Sequence, residues 1–345
     1  MTGHLDDPLL RRLLVLLAVA RHRTPPLARQ AAVGTTILNH SLTYVILRPM
    51  GDVTDGGAPR HRRRPGTAKS PTPVDVTVGE MVVPGPQGAP PVSLRVFQPT
   101  GLRTAAPALL WIHGGGLIFG APEQDDRTNI AFARELGITV AAVRYRLAPD
   151  SPAPAAVEDA YAALQGLIAH ADELRIDIGR IAIGGASAGG GIAAALALLA
   201  HDRAEIRPVF QLLVYPMLDD RTTTRTDLDT RNLRLWTAKS NRHAWSSYLG
   251  DAVAGPDVSP YAAAARREDL SGLPPAWIGV GTLDLFHDED VDYAHRLNDS
   301  HVPCELHLVP GAFHGFDAVF PRAEVSRQFW RRQAQTLAGA LSGTP

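Results

Sequence analysis

The sequence predicts an α/β fold with a mostly parallel central sheet and helices on both faces. Three observations predict it. Short apolar runs recur at Ala108–His113, Val140–Tyr145, Arg180–Gly184, Phe210–Tyr215, Ala276–Gly281 and Glu305–Val309, each brief enough for a strand buried on both faces. Helix-forming stretches such as Thr128–Leu136, Ala153–Ala171, Ala188–Ala200 and Asp288–Ser300 separate most of them, the alternation expected of parallel strands joined by helices. The chain has 345 residues, 45% of them hydrophobic, which is enough for a substantial core.

In chain order, residues 1–74 read as an N-terminal cap segment and linker. They hold two helix-like stretches, Pro8–Arg23 and Pro26–Leu47, followed by a Gly, Pro and Arg-rich connection from Pro49 to Pro73. The basic run His61–Arg64 in that connection reads as a solvated loop. Leu13–Ala20, an apolar run after Arg11 and Arg12, resembles a short export signal. Asp6 and Asp7 precede it, however, and it falls far below the roughly 20 residues a membrane span needs. A helix lying over the main domain, in a cytoplasmic protein, is the expectation.

The pattern changes to alternation at Val74. Val76–Val83 and Val92–Phe97 flank the turn-rich Pro84–Pro91, as in a hairpin that supplies antiparallel strands at one edge of the sheet. The catalytic domain is expected over residues 75–345. One interval breaks its rhythm: Met217–Leu270 is polar, carries Trp236 and Trp245, and is too long for an ordinary connection. It is expected to form helices above the sheet, as a second part of the cap over about 217–270.

Composition excludes several function classes. A formal net charge of −1 gives no general reason to expect nucleic acid or an anionic membrane as partner. The single cysteine, Cys304, rules out an intrachain disulfide and a cysteine-rich metal site. Neither GxGxxG, GxxxxGK[ST] nor HExxH occurs, so no nucleotide cofactor and no metal are expected.

The chemistry-bearing motifs fall at strand ends, where an open α/β sheet places its site. Gly185-Ala186-Ser187-Ala188-Gly189 fits GxSxG between an apolar strand and an alanine-rich helix. A serine at such a turn stands clear of the sheet, and the helix behind it directs free N–H groups at any anion formed there. His113-Gly114-Gly115-Gly116 ends another strand, and its glycines let the backbone approach a ligand. The N–H groups of Gly114, Gly115 and Ala188 are therefore candidates for an oxyanion hole, with His113 as an anchor of the loop rather than a base.

A serine needs a base, and the base needs an orienting carboxylate. Asp284 follows the Ala276–Gly281 strand and His314 follows the Glu305–Val309 strand, giving the chain order serine, acid, histidine. The acids after Asp284, namely Asp288, Glu289, Asp290 and Asp292, read as a solvated helix start. His287, His295 and His307 read as surface or packing residues.

These pieces together resemble the hormone-sensitive-lipase-like family of α/β-hydrolase carboxylesterases. The resemblance rests on HGGG at 113–116, Tyr145-Arg146-Leu147-Ala148-Pro149, the turn at Ser187, Tyr215-Pro216, Val258-Ser259-Pro260-Tyr261, Asp284-Leu285-Phe286-His287-Asp288-Glu289 and His314-Gly315-Phe316, over roughly residues 75–335. It implies the α/β-hydrolase fold with a two-part helical cap, and a serine carboxylesterase whose triad is Ser187, His314 and Asp284. The sequence departs from the family pattern at Ala186, where Asp or Thr is common, and at Arg144, where an acidic or polar residue often stands. The expected partner is a small ester of short to medium acyl chain, and exposed edge strands leave room for a homodimer. An amidase or deacetylase using the same three residues, and a non-catalytic small-molecule receptor on the same scaffold, remain as alternatives.

Overall fold

A computed structural model describes residues 75–342. The expected N-terminal cap segment, its helix-like stretches, the basic run and the export-signal question all lie outside the described residues. Eight strands form one sheet: β1 (Val76–Val83), β2 (Val92–Pro99), β3 (Ala106–Ile112), β4 (Thr139–Arg144), β5 (Ile176–Ala186), β6 (Phe210–Val214), β7 (Ala276–Gly281) and β8 (Cys304–Val309). Their order is β1-β2-β4-β3-β5-β6-β7-β8. β2 pairs antiparallel with β1 and with β4, and every other pairing is parallel.

Six longer helices cover the sheet: α1 (Asp126–Leu136), α2 (Ala155–Ala169), α3 (Ala188–Arg203), α4 (Ala238–Leu249), α5 (His287–Asp299) and α6 (Glu324–Ser342). Period-two alternation splits the strands between two cores. Ala108, Leu110 and Ile112 face a core shared with α2, α3 and α5, whereas Leu109 and Trp111 face one shared with α1 and α6. α3 has no polar face until its end, and it is buried from Ala188 through Ala200. A helix apolar all round belongs inside a layer, and this one occupies the centre of it.

The chain steps outward from β3 to β4 and then returns to β5 on the other side of β3. The reversal opens a crevice at the carboxyl ends of β3 and β5, where an open α/β sheet binds its ligand. No helix among the described residues is long and apolar enough to cross a membrane.

Three expectations need correction. β8 is the edge of the sheet and only partly buried, with Leu308 exposed, rather than buried on both faces. Between β6 and β7 the chain forms one α-helix, α4, and three short 3₁₀ turns, with irregular backbone elsewhere. Its polar residues are tied by ion pairs instead: Arg221 to Asp219, Arg225 to Asp227 and Asp288, and Arg266 to the fully buried Asp220. Lastly, Glu289 and Asp290 in the first turn of α5 are buried rather than solvated. The Glu289 carboxylate accepts the N–H groups of Leu218 (2.8 Å) and Asp219 (3.2 Å) and the hydroxyl of Thr222, so it fastens the start of the insertion to α5. Burial pushes the Glu289 and Asp290 carboxyls well above the ordinary range.

Candidate active site

Ser187 sits between β5 and α3 at φ 58°, ψ −122°, a left-handed backbone that a side-chain-bearing residue adopts only under constraint. The constraint comes from two neighbours. Its N–H donates to the Val214 carbonyl at 2.9 Å, and its carbonyl accepts the Met217 N–H at 3.0 Å, so the end of β6 grips the turn from both sides. Small residues then let α3 start against the strand ends. A Cβ built on Gly189 would lie 2.0 Å from the Ile112 carbonyl oxygen, and one on Gly191 would lie 2.0 Å from that of Met217.

The structure brings Ser187, His314 and Asp284 together, although they are far apart in sequence. His314 Nε2 lies 2.9 Å from Ser187 Oγ, and His314 Nδ1 lies 2.9 Å from Asp284 Oδ2. With Nδ1–H donating to the carboxylate, Nε2 is left free to accept the serine proton. Asp284 also accepts the Phe286 N–H through Oδ1 at 3.0 Å. The loops carrying the acid and the histidine are stitched to each other, Thr282 N–H to the Val309 carbonyl and Leu283 N–H to that of Ala312. All three side chains are buried.

Aromatic rings box the imidazole. Tyr215 approaches its edge at 4.8 Å between centroids and Phe286 at 5.1 Å, both near T-shaped, and Trp236 stands at 6.4 Å. The Tyr215 hydroxyl donates to Asp317 Oδ1 at 2.9 Å, in the short helical turn Phe316–Val319 that follows His314. Burial pushes the Tyr215 hydroxyl well above its ordinary value and raises the Asp317 carboxyl too. The sequence reading missed Asp317 and the ring contacts of Phe286. A carboxylate three residues past the histidine was the available signal for the first; no spacing rule points to the second.

The glycine loop lies beside the serine. A Cβ on Gly114 would be 3.4 Å from Ser187 Cβ, which sets this backbone next to the hydroxyl. Among the described residues, the N–H groups of Gly114 and Gly115 donate to no protein acceptor, and Ala188 opens α3, where the first N–H groups lack helical partners. The loop itself is fixed from below. His113 Nδ1 meets the Gly114 carbonyl at 2.8 Å, its ring stacks on Tyr145 at 4.3 Å, and the Tyr145 hydroxyl donates to the His113 carbonyl at 3.0 Å. Burial pushes the His113 imidazole down to about 4, so it is neutral and holds the loop.

The other candidate histidines stand apart from this cluster: His287 pairs with Asp288, His307 stacks on Trp277, and His295 is exposed. Arg144 forms an ion pair with Glu123. No group of three or more His, Cys, Asp or Glu side chains among the described residues could hold a metal ion. An aligned hydroxyl, imidazole and carboxylate beside backbone N–H groups can perform nucleophilic acyl transfer.

Comparison with known proteins agrees. A family model described as alpha/beta hydrolase fold matches residues 109–318. The carboxylic ester hydrolase LipN of Mycobacterium tuberculosis is 37% identical over 252 residues, covering 72% of this chain and 66% of that protein. Esterase LipI of the same organism is 32% identical over 266 residues, covering 76% and 82%. Among solved structures, a bacterial heroin esterase superposes with a TM-score of 0.74 at 42% identity, over 78% of this chain and 85% of that one.

Proposed function

The chain belongs to the alpha/beta hydrolase fold family, and from that premise we propose that it hydrolyses carboxylic esters through an acyl-enzyme formed on Ser187. One observation carries the proposal: the unbroken hydrogen-bonded line from Ser187 Oγ through His314 to Asp284. His314 takes the hydroxyl proton as Oγ attacks the ester carbonyl carbon. The carbonyl oxygen becomes an anion and is met by the N–H groups of Gly114, Gly115 and Ala188, each such donor being worth on the order of 10² to 10³ in rate. Asp284 keeps Nδ1 protonated and stabilises the imidazolium. His314 then returns the proton to the departing alcohol, and water activated by the same imidazole cleaves the acyl-enzyme.

The segment between β6 and β7 serves as the cap in this proposal, and the partner is a small ester of short to medium acyl chain. A cytoplasmic location goes with it, supported by the lone Cys304. The test is Ser187→Ala, measured against p-nitrophenyl butyrate with circular dichroism as the folding control. The variant is expected to keep its spectrum and lose at least about 10³-fold of kcat/KM. A folded variant that still turns the ester over would show that another residue is the nucleophile.

A further inference from the structure

Two consecutive residues of the insertion bridge the loops on either side of Ser187. The Trp236 indole touches the glycine loop, since a Cβ on Gly116 would fall 2.1 Å from its Cη2. Leu235 reaches the histidine loop, since a Cβ on Gly315 would fall 2.8 Å from its Cδ2. Leu235 holds φ 65°, unusual for a branched apolar side chain, and this conformation turns the two side chains toward different loops. Trp236 is further fixed through its Nε1–H, which donates to Oδ1 of the buried Asn241 on α4 at 3.3 Å.

The reaction assigns directions around the serine. The alcohol oxygen must lie within reach of His314 Nε2, and the carbonyl oxygen must point into the Gly114, Gly115 and Ala188 amides. The acyl chain and the alcohol group share the space that remains, and Trp236 borders it, touching Gly116 on one side and standing 6.4 Å from the His314 ring on the other. We propose that Trp236 is the residue that sets the length of the acyl chain, closing the pocket beyond a short one. The proposal rests on the ester-hydrolase reading, and the experiment separates the two.

Wild type, Trp236→Ala and Trp236→Phe are assayed on p-nitrophenyl esters from acetate to dodecanoate, a series in which only the acyl group changes. Trp236→Ala is expected to raise the ratio of octanoate to acetate kcat/KM by at least about tenfold, since a filled pocket discriminates by ten-fold or more for each methylene it excludes. Trp236→Phe, which keeps an aromatic ring in the same core, is expected to move the ratio part of the way. An unchanged ratio in both variants, with acetate turnover retained, overturns the assignment of Trp236 alone. Should Trp236→Ala fail to fold, an unchanged ratio in Trp236→Phe overturns it by itself. Failure of the wild type on every ester would instead overturn the ester-hydrolase reading.

Discussion

At the scale of single residues, the glycine loop beside Ser187 depends on a histidine that never needs to move a proton. His113 is sealed beneath the glycines, and burial, opposed by its hydrogen bond to Gly114, lowers it from an ordinary 6.5 to about 4. Between those values the unfolded chain binds a proton at this position and the folded chain does not. The stability His113 contributes is therefore intact above pH 6.5 and lost as the pH falls toward 4, by about 3 kcal/mol across the window. His113→Gln, which keeps a donor for the Gly114 carbonyl, should flatten the fall of the urea midpoint between pH 6.5 and 4. An identical slope in wild type and variant would remove His113 from the explanation. Ser187, Asp284 and His314 were legible in the sequence because each follows an apolar strand run, and chemistry restricts which residue types can work there. Phe286 was not legible, since its role comes from ring packing that leaves no periodic trace, and Asp317 was marked only by its place three residues past His314.

At the scale of elements, strand existence was readable and strand context was not. Six apolar runs and two alternating segments name all eight strands within a few residues, because a central parallel strand is apolar on both faces and an antiparallel edge hairpin alternates. β8 carries a similar run at the sheet edge, and only the strand order distinguishes it. β5 begins at Ile176 rather than Arg180, past a register shift against β3 that no pattern announces. α6 went unread because its buried positions, Phe329, Ala334, Leu337 and Leu341 among them, are diluted by arginine and glutamine. The start of α3 packs closely against the end of β3. Gly189→Ala places a methyl carbon 2.0 Å from the Ile112 carbonyl oxygen, and the helix must retreat. Overpacking of this kind costs about 1 to 3 kcal/mol, so the variant should show a lower Tm. It should also lose ester turnover at temperatures where it is still folded, because the retreat displaces the Ala188 N–H. Full activity with an unchanged Tm would mean that the contact relaxes without consequence.

At the scale of the whole molecule, the insertion is held down by a buried ion pair as well as by apolar packing. Asp220 is fully buried, takes both oxygens to Arg266 at 2.8 and 2.9 Å, and also receives the Ala254 N–H. Arg266→Ala strands that carboxylate, and removing one member of a buried pair typically costs about 3 to 5 kcal/mol. Thermal unfolding should register the loss, and adding Asp220→Ala should restore part of it. A single variant as stable as wild type would show that the pair does not bear on stability. The hold that the end of β6 keeps on the serine turn, through Val214 and Met217, has a practical consequence for protein engineering. The same few residues launch the segment that follows β6 and clamp the backbone of Ser187, so that segment cannot be exchanged at the visible end of the strand. A chimera carrying another protein's β6–β7 segment must be spliced beyond Met217, leaving residues 214–217 native, or the donor sequence will reset the angle at which the serine is presented.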